Sequence, residues 1–172
     1  KRNSIGSIKP DNKRLKYYDN QTLIVYINGN KYIYPPKAGV ILFDKQLEYV
    51  LLIKNNYAEN NDLAKYSIPK GHLEEKETRS ECAEREFYEE TGVKINIPQD
   101  RQSIRVNNSQ YYPFYTDTTK LEKFKPVDIN EVSECKFVKI ADIKKFNCNQ
   151  ETQNLLTKKL NLARKHAEYI EL

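Results

Sequence analysis

The sequence predicts an α/β protein in which helices cover both faces of a mixed β-sheet. Two runs, residues 39–43 (GVILF) and 49–53 (YVLLI), are apolar almost throughout, which is typical of strands buried on both faces. A clearly delimited helix follows at residues 78–92, and a second helical pattern begins at Glu151. Strands and helices therefore alternate, and 172 residues with 38% hydrophobic content suit one globular domain.

Three regions follow one another along the chain. Residues 1–20 are polar, basic and aperiodic, which predicts a loosely ordered arm, with contact to an RNA backbone as its functional alternative. Residues 21–35 predict a β-hairpin, because two β-rich runs flank the turn sequence Asn28-Gly29-Asn30. We expect residues 36–172 to form the globular domain.

Composition narrows the class of protein and its compartment. No apolar run approaches the 18 residues of a membrane span, and the first residues lack the apolar centre of a signal peptide. Three cysteines without metal-site spacing indicate reduced thiols, so a cytoplasmic location without a membrane partner is expected. The formal charge of +5 leaves a basic remainder around an acidic helix, which suits a polyanionic substrate.

The helix at residues 78–92 is defined by the signals at its ends. Thr78 and Glu81 have the spacing of a capping box, which predicts the first helical turn. Gly92 supplies a left-handed stop after about 13 helical residues.

Three carboxylates crowd one face of this helix. Glu86, Glu89 and Glu90 stand at positions i, i+3 and i+4. The helix contains no lysine, so their counter-charge is either Arg85 or a cation from solution. Magnesium prefers carboxylate oxygens, so the three residues are candidate ligands of this ion. A solvent-exposed acidic helix face would contain the same three residues. The spacing of the surrounding residues distinguishes the two interpretations.

That wider spacing resembles the Nudix box, a loop, a helix and a second loop in succession. The matching positions, separated by five, seven, one and one residues, are Gly71, Glu77, Arg85-Glu86-Phe87, Glu89-Glu90 and Gly92-Val93. The resemblance implies an α/β/α sandwich around residues 36–170, extended here by the N-terminal hairpin and a C-terminal amphipathic helix. It also implies a hydrolase of phosphoanhydrides in nucleoside-diphosphate-linked substrates that uses Mg²⁺ or Mn²⁺.

The resemblance assigns roles to individual residues of the box. The implied metal ligands are three helix carboxylates and one loop carbonyl: Glu86, Glu89, Glu90 and Gly71. Arg85 belongs to the implied catalytic set and pairs with Glu77, which holds the loop on the helix. The general base is either Glu131, which precedes a late strand, or Glu89.

Further elements are expected after the box. The predicted strands are residues 93–97, 103–106, 110–115 and 131–138. Residues 116–130 are charged and rich in turn formers, which predicts a mobile loop over the site. A short helix at 140–143 and a continuous amphipathic helix from Glu151 complete the chain, the latter with apolar residues three and four apart.

Four residues are candidate substrate contacts. Lys54 and Lys70 are candidate contacts to phosphate, because each lies next to an element that the resemblance places at the nucleotide pocket. Tyr111 and Tyr112 lie where several Nudix enzymes place a ring that stacks on a base. Core packing is the alternative for both tyrosines.

Four functions stay open on the sequence alone. The basic composition, the basic arm and the tyrosines favour the 5′ cap of mRNA, whereas the Pro69-Lys70-Gly71-His72 segment is equally typical of diadenosine tetraphosphate hydrolases. Diphosphoinositol polyphosphates are a third substrate class, disfavoured because that group has several glycines at the start of the box. A catalytically silent RNA-binding module is the fourth, disfavoured because every box carboxylate is present.

Overall fold

A computed structural model describes residues 14–56, 65–117 and 121–172. The chain forms two compact units, residues 1–36 and 37–172. No helix among the described residues is long and apolar enough to cross a membrane.

The N-terminal unit is a three-stranded antiparallel sheet in the order β1-β2-β3. Its strands are β1 (Arg14–Asp19), β2 (Thr22–Ile27) and β3 (Asn30–Tyr34). The predicted hairpin is confirmed as β2 and β3, joined by Asn28 and Gly29, which both have positive φ angles of 52° and 84° as a tight hairpin turn requires.

The prediction of a loosely ordered arm is wrong for residues 14–19. These residues pair with β2 along six positions, and the rings of Tyr17 and Tyr26 stack across the two strands at 6.5 Å. Cross-strand aromatic pairs of this kind stabilise a third strand that composition alone does not reveal. The rest of the arm, residues 1–13, lies outside the described residues.

The second unit is built on a mixed sheet in the order β10-β5-β4-β9-β11. These strands are β4 (Lys37–Asp44), β5 (Tyr49–Asn55), β9 (Ser109–Thr116), β10 (Val132–Lys139) and β11 (Glu168–Tyr169). Three short strands pair onto this path: β6 (Tyr66–Ser67) on β5, β7 (Lys70–His72) on β4 and β8 (Ile104–Val106) on β9. Strand β9 runs parallel to β4 and β11, and the other pairs are antiparallel.

Both faces of this sheet are covered, as the apolar runs predict. Val40 and Leu42 of β4 pack on the side of helix α1 (Arg79–Thr91), in a cluster that includes Phe87. Ile41 and Phe43 point to the opposite cluster, to which the C-terminal helices contribute. The expected sandwich, with α1 on one face, is therefore confirmed.

The C-terminal segment differs from the expected single helix. It forms α2 (Gln150–Leu155) and α3 (Leu160–His166), separated by a turn in which the amides of Lys158 and Lys159 both donate to the carbonyl of Asn154. Ile170 lies beyond the helices, where its amide donates to Tyr115 of β9. Pairing with the sheet thus replaces the last helical turns.

The run at residues 93–97 is not a strand, contrary to the prediction. Its apolar side chains do pack on the core, and Ile97 is buried. The amide of Ile97, however, donates to the Glu84 carboxylate of α1 at 2.6 Å, so the segment is tied to the helix and not to the sheet.

The described part of the expected loop at 116–130 packs against the end of α1. Residues Leu121–Lys123 form a 3₁₀-helix, and the following Phe124 is buried beside α1. The amides of Lys125 and Val127 donate to the carbonyls of Thr91 and Glu89 at 2.7 and 2.9 Å. These contacts satisfy the last carbonyl groups of the helix and lead the chain towards Glu131.

Candidate active site

Local signals fix both ends of helix α1, and with them the direction of its carboxylates. The Thr78 hydroxyl accepts from the Glu81 amide at 3.2 Å, and the Glu81 carboxylate accepts from the Thr78 amide at 2.9 Å. Gly92 ends the helix with a φ angle of 76°, and its amide donates to the carbonyl of Tyr88. The predicted capping box, length and stop are all confirmed.

Gly71 lets the preceding loop lie directly on the Glu86 carboxylate. Strand β7 pairs Gly71 with Ala38 of β4, and the glycine lies against Cys82 and Glu86 of α1. A Cβ atom added at Gly71 would overlap all three carboxylate atoms of Glu86. The close approach of backbone and carboxylate therefore requires glycine here.

Arg85 links this loop to the helix. Its guanidinium donates to both oxygens of Glu77 at 2.7 and 2.9 Å and to the carbonyl of His72 at 3.0 Å. The same group reaches Glu86 at 2.9 Å and Glu89 at 3.2 Å. The expected pair of Arg85 and Glu77 is present, and Arg85 also supplies counter-charge to the carboxylate face.

The electrostatics of that face are unfavourable for its negative charges. Burial raises the pKa of Glu86 to about 7, against the opposing effect of Arg85. Burial also holds the pKa of Glu90 well above its usual range, and the neighbouring charge of Glu86 adds to the effect. Glu90 is fixed by a hydrogen bond of 2.8 Å from the Lys70 amide. Two buried carboxylates beside one another thus favour a compensating cation.

Glu131 faces the same carboxylates from another part of the chain. It precedes β10, and its negative charge raises the pKa values of both Glu86 and Glu90. Its carbonyl accepts from the Asn56 amide at 2.8 Å, which ties it to the end of β5. A cavity of about 480 Å³ lies here, lined by Asn55, Asn56, Asp128, Asn130 and Glu131.

The donor set suits a hard divalent cation. Within the described residues, no three acidic, histidine or cysteine side chains already converge as a ligand set, since Arg85 holds Glu86 and Glu89. The available donors are nevertheless carboxylate and carbonyl oxygens, and burial raises the pKa values of Glu86 and Glu90, which favours a cation beside them. Glu86, Glu89, Glu90 and the Gly71 carbonyl are the groups that would hold such an ion.

The match to a known family covers most of the chain. The NUDIX domain profile aligns with residues 33–159, which include the loop, the carboxylate helix and Glu131. The chain belongs to the Nudix family. Nudix hydrolases act on pyrophosphate bonds of nucleotide-type substrates, and the family typically uses divalent metals.

Individual relatives of this Nudix chain are distant. It is 27% identical over 112 residues to the m7GpppN-mRNA hydrolase dcap-2 of Caenorhabditis elegans, a match that spans 63% of this chain and 14% of the relative. The fold resembles an Ap4A hydrolase of C. elegans, with a TM-score of 0.56, 18% identity, and coverage of 76% and 98% of the two chains. It also resembles a Francisella tularensis NMN adenylyltransferase/ADP ribose pyrophosphatase complexed with AMP and a manganese ion. There the TM-score is 0.54, at 18% identity over 74% of this chain and 41% of the other.

Only one of the four candidate substrate contacts lies at the Nudix carboxylates. Burial lowers the pKa of the Lys70 amine, whereas Glu90 and Glu86 oppose that shift, so the Lys70 side chain lies near both. Lys54 instead lies over the ring of Tyr66 at 5.8 Å, on the face of the sheet opposite α1.

The assignment of Tyr111 and Tyr112 as base-stacking residues is wrong. Tyr111 is completely buried in the cluster opposite α1, where its hydroxyl donates to Glu151. Tyr112 is buried in the other cluster, on the side of α1. Neither ring offers a face to a base, because alternation along β9 directs both into the core.

Two cysteines that sequence reasoning left without a role support the Nudix helix. The Cys82 thiol donates to the Gly71 carbonyl at 3.4 Å, and the Cys135 thiol donates to the Glu90 carbonyl at 3.2 Å. Burial raises the pKa of each thiol to about 12, so both remain protonated donors. Cys82 stands four residues before Glu86, a spacing that places it on the same helix face.

Proposed function

We propose that this Nudix chain hydrolyses the triphosphate bridge of an mRNA 5′ cap. The observation that carries the reaction is the approach of Glu131 to the buried carboxylates Glu86 and Glu90. The similarity to the mRNA hydrolase dcap-2 supports the cap as substrate. Because that match spans 14% of the relative, the choice among nucleotide substrates needs a direct test.

Each residue of the site has one task in the proposed reaction. A bound Mg²⁺ or Mn²⁺ would neutralise bridging phosphate oxygens and increase the acidity of water. Glu86, Glu89 and Glu90 would hold the ion, and Glu131 would accept the proton of the attacking water. Arg85 keeps Glu86 and Glu89 in place through its bond to the loop.

The overall reaction is balanced by one water molecule. The water oxygen forms a bond to a phosphorus of the bridge as the anhydride bond breaks. A nucleoside diphosphate and a 5′-monophosphate RNA leave. Lys70, whose amine lies near the carboxylates, would contact the substrate phosphates.

Diadenosine tetraphosphate is the second candidate substrate, because Pro69-Lys70-Gly71-His72 is typical of its hydrolases as well. A side-by-side assay with Mg²⁺ separates the two: a capped RNA of about 20 nucleotides, the free cap dinucleotide and diadenosine tetraphosphate. We expect the capped RNA to be cleaved fastest at low salt. Its rate advantage over the other two compounds should fall as the salt concentration rises. Equal or faster cleavage of diadenosine tetraphosphate would overturn the assignment to caps.

The N-terminal arm is tested by deletion of residues 1–13. The deletion ends there because β1 begins at Arg14. If the arm contacts RNA, its loss lowers the rate on capped RNA and leaves diadenosine tetraphosphate unaffected. A protein that binds capped RNA yet cleaves none of the three compounds would instead be a silent RNA-binding module.

A further inference from the structure

The net positive charge of this protein comes from its N-terminal unit. Residues 1–36 contain seven basic and two acidic residues, whereas residues 37–172 contain twenty-two of each. The formal excess of +5 therefore lies entirely in residues 1–36. Long-range attraction of a polyanion therefore favours the N-terminal unit.

The register of the three-stranded sheet separates its side chains into two chemically different faces. Arg14, Lys16 and Tyr18 alternate on one face of β1, and the pairing places Tyr32 and Tyr34 of β3 on that same face. We call this the basic–aromatic face. It bears two cations and no acidic residue. Between the outer strands it presents the apolar side chains of β2, the first two of them buried: Leu23, Val25 and Ile27.

The opposite face has a different composition. There β1 presents Leu15, Tyr17 and Asp19, and β3 presents Lys31 and Ile33. One cation is offset by one acid, and the remaining side chains are largely apolar or stacked on one another. The basic–aromatic face thus bears unopposed positive charge beside exposed rings, whereas the exposed Tyr17 of the opposite face stacks on Tyr26.

Two rings of the basic–aromatic face are open to solvent. Tyr18 is 53% exposed and Tyr32 is 44% exposed. They stand on the two outer strands, with Lys16 directly across Val25 from Tyr32. A face of this size, about 20 Å along the six-residue strands β1 and β2, has room for two or three nucleotides.

We propose that the basic–aromatic face binds single-stranded RNA, with bases stacked on Tyr18 and Tyr32 and the backbone held by Arg14 and Lys16. This inference rests on the proposed function, because an RNA cap substrate brings a polyanionic chain to the protein. Bases stack on aromatic rings without regard to sequence, and cations beside the rings track the phosphates. The ligand class is therefore RNA without sequence preference.

Binding is tested with the full chain and an uncapped, fluorescently labelled 20-nucleotide RNA in EDTA. The readout is fluorescence anisotropy, so it does not depend on hydrolysis. Tyr18→Val and Tyr32→Val should each weaken binding by about fivefold or more, which is the usual effect of losing one stacked base. Valine keeps the preference for a strand, and circular dichroism checks that the sheet is retained.

Matched controls lie on the opposite face. Tyr17→Val removes a ring next to Tyr18, and Lys31→Gln removes the same charge as Lys16→Gln. Lys16→Gln should reduce the slope of log affinity against log salt by about 0.7, with little change for Lys31→Gln. Tyr17→Val should leave the affinity within about twofold.

Two results would overturn the inference. One is equal loss of affinity from the variants of both faces, which would indicate charge attraction alone. The other is unchanged affinity in Tyr18→Val and Tyr32→Val, which would mean that the basic–aromatic face binds a different type of partner, such as a protein. A protein that does not hydrolyse caps, but whose RNA binding is still weakened only by variants of the basic–aromatic face, would refute the proposed function and leave this inference intact.

Discussion

Gly71→Ala isolates the contact between the loop and the Glu86 carboxylate. The added Cβ would overlap the carboxylate carbon and both oxygens, so the carboxylate must withdraw by about 1 Å before the contact becomes tolerable. A misplacement of about 1 Å at a reacting centre costs about 10² in rate. The expected result is a loss of about 100-fold in kcat/KM on the capped RNA with Mg²⁺.

Folding should be little affected by the same change. The obstructing atoms are the end of a flexible side chain, and Gly71 does not have a positive φ angle that alanine would resist. We therefore expect a Tm within about 3 °C of the unaltered protein, measured by differential scanning fluorimetry.

Gly39→Ala is the matched control, because Gly39 pairs with Lys70 in the same β4–β7 ladder. There a Cβ would overlap the backbone carbonyl of Pro69, which cannot rotate away. Overpacking of this kind costs about 1–3 kcal/mol, or roughly 2–12 °C in Tm for a chain of this size. Activity of Gly71→Ala within about threefold of normal would refute the reasoning that Gly71 positions Glu86.

Three further predictions concern the carboxylates. Glu90→Gln should reduce turnover by about 10² or more while Tm in EDTA stays equal or rises. The amide oxygen can still accept from Lys70, and the amide, unlike the buried carboxyl, can never carry an unfavourable charge. Normal turnover would exclude Glu90 as a ligand. Glu131→Gln should lower kcat by roughly 10² with little change in KM, and a loss below about fivefold would move the role of base to Glu89. In EDTA, Tm should fall as pH rises from about 5 to 8, because the folded protein keeps a proton on Glu86 (pKa about 7) that the unfolded chain has released. Glu86→Gln should flatten this slope of Tm against pH. Equal slopes in both proteins would contradict the raised pKa of Glu86.

Sequence reasoning succeeds where the signals are local. The ends of α1 follow from Thr78, Glu81 and Gly92, because capping bonds join residues only a few positions apart. The hairpin turn follows from Asn28-Gly29 for the same reason. The box spacing similarly places three carboxylates on one helix face before any tertiary contact is known.

Sequence reasoning fails where distant residues decide the outcome. The β-rich run at 93–97 does not join the sheet, and the Ile97 amide donates a hydrogen bond to the Glu84 carboxylate of α1. Tyr111 and Tyr112 have the composition of a binding surface, but coverage of both faces of β9 buries them. The third N-terminal strand depends on pairing with β2, which a basic composition conceals.

Cleavage of capped RNA in ¹⁸O-labelled water, with Mg²⁺ or with EDTA, shows whether this protein hydrolyses the cap with the help of a metal ion. Mass spectrometry of both products identifies the bond that breaks and the origin of the new oxygen. With Mg²⁺, we expect a nucleoside diphosphate and a 5′-monophosphate RNA, one of which carries a single ¹⁸O at its new terminal phosphate. In EDTA we expect no product. Products without ¹⁸O, or equal cleavage in EDTA, would contradict hydrolysis by a metal-dependent carboxylate site.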